Sequence, residues 1–193
     1  RYPDILEESN SVFDQCTNTI ITQVDELKRL VSEFSQFARM PKVQKAPANL
    51  IMLAKDTLFL YQEAHKNITF NCYEKTPVPV FSFDYEQIKR SLINLLDNAV
   101  AVLPSGGTID VEISLDPELE NVFLKVSDNG PGISKENKQK LFEPYFSTKK
   151  TGTGLGLAIV STIISDHNGY IRVQDNTPSG SIFIIELPFL PQE

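Results

Sequence analysis

The sequence is short of the residues that usually announce chemistry. It has two cysteines, Cys16 and Cys72, one on an expected helix and one on an expected strand. Two such residues make neither a disulfide framework nor a thiolate metal site, and they point to a reducing compartment. There is no metal-ligand cluster, no Ser-His-Asp arrangement and no reactive-cysteine context. No apolar run approaches the roughly 18 residues of a membrane span, and no signal peptide is visible. Positive charge is scarce: 18 basic against 25 acidic residues leave a formal charge of −7. That excludes broad nucleic-acid binding, which needs a basic face. The chain opens on Arg1 without a methionine and is expected to be a fragment, with room for a membrane segment upstream.

What is present is ordinary for a soluble globular protein: 193 residues, 41% hydrophobic and 22% charged, enough for one well-buried domain and an appendage. Residues 4–39 read as one long helix. Ile20, Val24, Leu27, Val31, Phe34 and Ala38 step by four and three, and Phe13 and Thr17 extend the register. A 3.5-residue period is the seam of a helical hairpin or coiled coil, although a helix lying on its own core gives a similar stripe. Pro41 and Pro47 mark a linker. A helix is expected over 48–65, a strand over Ile68–Tyr73 and another within Val78–Phe83. Asp84 is placed to cap a helix running to about Leu103. Strands follow at Thr108–Leu115 and Asn121–Ser127, then a short helix at 134–141, a loop from Phe142 to Thr153 and a helix at about Gly154–His167. The last two strands are Tyr170–Gln174 and Ser181–Leu187. Interleaved helices and hairpin-joined strands predict an α+β fold, a mixed or antiparallel sheet covered on one face by helices.

Three polar patches interrupt this pattern. Asn94 and Asn98 share one face of an otherwise apolar helix, where asparagine is a poor fit. Such a pair is often just solvent-facing, but its amide oxygens suit Mg²⁺, which keeps several waters and takes few protein ligands. Asp97 between them points to another face and is expected in solvent. Asp128-Asn-Gly-Pro-Gly132 has ordinary turn composition, yet a carboxylate there suits the exocyclic amine of adenine better than the carbonyl of guanine. Gly152-Thr-Gly-Leu-Gly156 opens a helix and offers backbone N–H groups to an anion. It is neither a Walker loop nor a dinucleotide fingerprint, because no Gly-Lys-Ser/Thr follows and no strand precedes. Between the last two patches, Phe142 to Gly152 mixes aromatics, hydroxyls and charge, as a lid over a site does. Its aromatics would anchor the root, and Lys149 or Lys150 would meet phosphates or stand solvated. His65 and His167 have no acid beside them in a pattern suited to accepting a phosphoryl group, and His167 reads as a helix-end residue complementing the dipole.

In this order, the asparagine patch, Asp128–Gly132, Phe142–Phe146 and Gly152–Gly156 resemble the four boxes of the histidine-kinase ATP-binding domain. This is the Bergerat fold, a two-layer α/β sandwich shared with DNA gyrase, mismatch-repair ATPases and a heat-shock chaperone family. The resemblance covers about residues 48–190. Residues 1–41 look like the second helix of a dimerisation and phosphoacceptor hairpin, 42–48 like a linker, and 49–193 like the catalytic domain. Phe34-Ser-Gln-Phe-Ala-Arg-Met-Pro41 is similar to sensor kinases of the nitrogen-regulation, NtrY-like class.

The resemblance implies ATP and Mg²⁺ as cofactors, with Asn98 on the metal, Asn94 near the phosphates or metal shell, and Asp128 on adenine. It places Gly130, Gly132 and Ile133 beside the base, Phe142 and Thr151 in the lid, and Lys149 with Gly152, Thr153, Gly154, Leu155, Gly156 and Leu157 at the phosphates. Gly180 and Ser181 stand behind the adenine. One departure is Ala101, where many members carry a basic residue three after the metal asparagine. Hydrolytic relatives place a glutamate four residues before that asparagine, where this chain has Asn94, so water lacks a general base. The implied activity is phosphoryl transfer to a histidine on the preceding helix, absent from this fragment, and thence to a response-regulator aspartate. Implied partners are a second copy of the intact protein, that phosphoacceptor helix and a receiver domain. The implied location is the cytoplasmic portion of a sensor, reaching a membrane only through segments outside the fragment. A serine-kinase, anti-sigma-type regulator and an ATP-sensing pseudokinase are the alternatives on the same fold.

Overall fold

The computed structural model describes residues 13–25, 27, 28, 31, 35, 41–149 and 152–189. The chain divides into two units, Arg1–Pro41 and Lys42–Glu193. In the first, residues 13–25 form helix α1, and 27, 28, 31 and 35 are also helical. Phe13, Ile20, Val24, Leu27 and Val31 of the expected seam are all exposed. The remainder of the expected 4–39 helix, including Phe34 and Ala38, lies outside the described residues.

The second unit is organised by strand parity. Its elements are β1 (Ala46–Ala48), α2 (Leu50–Ala64), β2 (Ile68–Glu74), β3 (Phe81–Phe83), α3 (Tyr85–Ala101), β4 (Gly107–Asp116), β5 (Asn121–Asp128), α4 (Lys135–Lys140), α5 (Gly156–Asp166), β6 (Tyr170–Asp175) and β7 (Ser181–Pro188). Five strands form one sheet in the order β2-β4-β5-β7-β6. Only β2 and β4 are parallel, so the sheet is mixed, and α3 lies in the crossover that a parallel pair requires. On β4 and β5 the inward residues Ile109, Val111, Ile113, Val122, Leu124 and Val126 are all buried. The helix layer is equally dry at Leu53 and Leu58 of α2, Ile88, Leu92, Leu95 and Leu96 of α3, and Val160, Ile163 and Ile164 of α5. Each such side chain contributes about 1.5–3 kcal/mol over its exposed state. The other sheet face carries ion pairs among its side chains, Lys125 of β5 with Glu112 of β4 at 2.9 Å and Arg172 of β6 with Glu186 of β7. Asp128 follows Val122, Leu124 and Val126 at even spacing, so the pleat turns its carboxylate inward. A one-residue slip would expose it.

The segment expected as a linker is not one throughout. Ala46–Ala48 pairs antiparallel with Phe81–Phe83 as a separate two-stranded ribbon. Pro47 is tolerated there because a ribbon edge does not need its missing donor. Just before it, the Gln44 N–H donates to Asp84 Oδ2 at 2.8 Å, while Asp84 Oδ1 caps α3 by accepting from the Gln87 N–H at 3.1 Å.

His167 closes the same corner, in a role other than the expected dipole partner. Its ring is buried, and Nε2 accepts the Asp84 N–H at 3.0 Å, which puts the ring proton on Nδ1, 2.8 Å from the Ile163 carbonyl. A neutral imidazole therefore ties the end of α5 to the start of α3. Burial holds its pKa below the usual 6.5; the Ile163 bond opposes that, Lys45 adds to it, and Asp84 and Asp166 act against it. Because the folded pKa is depressed, the unfolded chain binds the proton more readily, and stability is lost as pH falls below about 6.5. Urea midpoints should therefore rise with pH through this range. His167→Gln keeps an acceptor but cannot titrate, so it should cost about 1 kcal/mol at pH 7.5 and flatten the pH slope. An unchanged slope would remove His167 from this role.

Candidate functional site

Helix α3 carries the asparagine pair along the edge of its buried face. Asn94 donates Nδ2 to the Arg90 carbonyl at 2.9 Å, which leaves Oδ1 free to face the opening of α5. The approach is close: a Cβ on Gly156 would lie 2.8 Å from that oxygen, so this position excludes a side chain. One turn later, Asn98 Oδ1 accepts the Lys149 Nζ–H at 2.8 Å. At the end of the same helix Val102 packs on Gly130, where a Cβ would meet its Cγ2 at 3.0 Å. All three patches, separated in sequence, thus converge on one side of α3.

Asp128 ends β5 at 3% exposure. Its Oδ1 accepts the Gly130 N–H at 2.8 Å and, more weakly, the Ser181 N–H at 3.4 Å, while Oδ2 accepts the Ser181 hydroxyl at 2.5 Å. The β6–β7 turn wraps against it. Gly180, at φ +111°, lies so near that a side chain would overlap the Asp128 carbonyl. Gly132 packs on the Gly180 carbonyl, and Ile133 beside it is half-buried. Asn176 was not singled out by sequence: its Nδ2 donates to the Asp128 carbonyl at 2.8 Å. The only local signal was a turn composition, Asn-Thr-Pro-Ser-Gly, with nothing to reveal a partner 48 residues away.

The lid region begins with α4, capped by Ser134. Phe142 and Phe146 are half-buried at its root, as expected of anchors, whereas Tyr145 is 60% exposed. The Tyr145 N–H donates to the Gly154 carbonyl at 3.0 Å and closes the base of the loop. Lys149 is exposed as a residue, yet the protein around its ammonium lowers its pKa by desolvation, with the charge of Asp97 acting the other way. Lys150 and Thr151 lie outside the described residues. Gly152 is exposed, and Thr153 Oγ1 accepts the Leu155 N–H at 3.4 Å. Helix α5 starts at Gly156, two residues later than expected, because Gly154 sits at φ +71°, outside helical space. Leu155, fully buried, roots the turn, and no side chain caps the helix, which leaves its first N–H groups to an external acceptor. Leu157 is half-buried in the first turn.

Asp97 is exposed as expected, but it has a second connection. The Tyr61 hydroxyl donates to its Oδ1 at 2.5 Å, and burial together with that bond raises the phenol pKa far above its usual value. Among the described residues no three His, Cys, Asp or Glu side chains gather to hold a metal ion. A metal at this site would depend on the neutral Asn98 oxygen together with ligand oxygens and water, a donor set suited to Mg²⁺. The cleft bordered by Ser114, Asp116, Phe123 and Arg172 includes none of the residues assembled around α3. Among the described residues no helix is long and apolar enough to cross a membrane.

Comparison with known proteins bears on the family and the fold. The sequence pattern of the family described as histidine kinase-, DNA gyrase B-, and HSP90-like ATPase matches residues 83–191. The chain is 38% identical to the nitrogen regulation protein NtrY of Azorhizobium caulinodans over 91% of its own length, and spans 23% of that relative. The catalytic domain of histidine kinase ThkA superposes with TM-score 0.69 at 34% identity, covering 75% of this chain and 95% of that one. ThkA in complex with response regulator protein TrrA gives TM-score 0.76 at 29% identity, covering 90% of this chain and 50% of that one. Full-length ShkA in complex with AMPPNP gives TM-score 0.78 at 25% identity, covering 93% of this chain and 39% of that one. This chain belongs to the histidine kinase-, DNA gyrase B- and HSP90-like ATPase family, as an ATP-binding catalytic domain of the histidine-kinase type.

Proposed function

We propose that this domain takes ATP with Mg²⁺ and presents the γ-phosphoryl group to a histidine on an upstream helix, from which it passes to an aspartate of a receiver domain. The observation that carries the reading is the buried Asp128 carboxylate. It offers about four lone-pair positions; three are taken, by the Gly130 N–H, the Ser181 N–H and the Ser181 hydroxyl. The remaining acceptor suits the exocyclic amine of adenine and refuses a carbonyl. Asn98 would hold the metal through its amide oxygen, and Mg²⁺ when bound would neutralise charge on the triphosphate. The uncapped start of α5 offers N–H groups and a positive dipole end to the phosphates. Lys149 is the cation on hand, since Ala101 leaves α3 without one at the usual place.

Asn94 fills the position from which a glutamate would activate water, and an amide takes no proton at neutral pH. The domain therefore keeps ATP intact until a histidine nitrogen is aligned with it, and catalysis rests on positioning. Neither histidine among the described residues is offered as acceptor: His167 is buried in its tie to Asp84, and His65 ends α2 stacked on Tyr61. The kinship with NtrY supports a nitrogen-regulation sensor, and the ThkA–TrrA complex supports a response regulator as partner. In the intact protein this domain would serve a homodimer on the cytoplasmic side, with any membrane attachment made by other segments. Residues 1–41 would supply one helix of the dimerisation hairpin and 49–193 the catalytic domain. The relatives give no support to the pseudokinase or anti-sigma readings.

Asp128→Ala should weaken calorimetric binding of an ATP analogue about 10- to 100-fold, the scale of losing a charge-assisted hydrogen bond. Unaltered heat would place adenine elsewhere. Asn94→Glu should retain nucleotide binding and raise basal phosphate release, and an unchanged rate would count against the missing-base argument. Mixing the chain with the upstream helix of the same protein and Mg²⁺-ATP should label that helix with acid-labile, base-stable phosphate. Absence of label despite measured ATP binding would favour a sensing module over a kinase.

A further inference from the structure

Lys149 and Asn98 stand 51 residues apart in sequence and are joined by one hydrogen bond, Nζ to Oδ1 at 2.8 Å. That oxygen is the one assigned to Mg²⁺ in the proposed function, and the inference rests on that assignment. An ammonium and a divalent ion cannot share one amide oxygen without two positive charges lying a few ångströms apart.

The lysine is set up for this contact from both ends. Its main chain sits in a tight turn, with its N–H donating to Ser147 Oγ at 3.1 Å and its carbonyl accepting the Gly152 N–H at 3.3 Å. Its ammonium lies in the field of Asp97, the residue next to Asn98 on α3, and Asp97 is in turn fixed by the Tyr61 hydroxyl at 2.5 Å. The loop, closed at its base between Tyr145 and Gly154, thereby gains a tie to α3 through the Lys149 side chain.

We propose that Lys149 is a built-in stand-in for the metal. In the nucleotide-free protein its ammonium occupies the Asn98 oxygen and latches the loop onto α3. The metal–nucleotide complex takes that oxygen and releases the ammonium toward the triphosphate. The two uses of this one amino group exclude each other, so the loop leaves α3 only when metal and nucleotide are both present. Asp97 is a positioning residue: its charge, oriented by Tyr61, biases the ammonium toward Asn98 and sets how much metal is needed to displace it.

The latch is tested on the full 193-residue chain without nucleotide. The readout is NMR-detected hydrogen exchange at the Tyr145, Phe146 and Lys149 amides, each of which has an acceptor in the loop. Asn98→Ala and Lys149→Met should each speed exchange about two- to five-fold, the range for one partly exposed charged hydrogen bond. The double variant should be no faster than either single one, since both remove the same bond. Lys149→Arg should restore slow exchange. Asp97→Asn, which leaves both partners in place, should lower the Mg²⁺ concentration for half-maximal binding of an ATP analogue. Unchanged exchange in Asn98→Ala, or additive effects in the double variant, would overturn the latch. Failure of the wild-type chain to bind nucleotide would instead strike the ATP reading, and the two outcomes are read in separate samples.

Discussion

The site depends on a carboxylate kept out of water. A buried charge is tolerated only when donors replace its hydration, and the donors to Asp128 come from two places far apart in sequence, the Gly-Pro-Gly turn and the start of β7. Meeting that requirement joins the end of β5 to the first residues of β7 and brings the intervening turn against the Asp128 carbonyl. Asn176 completes the arrangement by holding that carbonyl from the other strand junction. The floor on which a purine would rest is therefore fixed by the same bonds that satisfy the charge.

Two helices carry the rest of the site, and they are joined at two points, at the middle and at the start of α3. Near the phosphate patch, Asn94 and Gly156 approach within a distance that only glycine allows. At the far end the neutral His167 ring spans α5 and the cap of α3. The two ties lie ten residues apart along α3, about 15 Å at 1.5 Å per residue, and so limit both tilt and slide. This rigidity suits a reaction in which the protein contributes little covalent chemistry and much placement.

The ends proposed for adenine and for the phosphates are built differently. Around Asp128 the contacts are multiple, buried and mutually dependent. Around Asn98 the tie is one charged side chain on an exposed loop, a contact weak enough to be exchanged for another. Under the proposed function, a domain that holds a nucleotide firmly and yet yields its terminal phosphoryl to a second protein segment has use for both. The absence of a carboxylate at Asn94 belongs to the same division, because it leaves transfer to an aligned nucleophile as the favoured route over water.

Much of this was legible in local pattern. The alternation that ends at Asp128, the Asp84 cap, the apolar face of α3 and the three polar patches all follow from side-chain period and turn chemistry within a few residues. The three-residue strand β1 was missed because Ala-Pro-Ala carries no alternation, and only its pairing with Phe81–Phe83 makes it a strand. The two-residue shift at the start of α5 reflects the left-handed backbone of Gly154, which is held by a hydrogen bond from Tyr145. Side-chain period alone pointed to a helix-backed sheet, and the resemblance of its polar patches to the histidine-kinase boxes implied an ATP site. That Ser181 reaches Asp128, that Asn98 is met by Lys149 and that His167 is an uncharged tie to Asp84 were decided only by the strand order and helix packing, because each joins groups dozens of residues apart that local propensity cannot bring together.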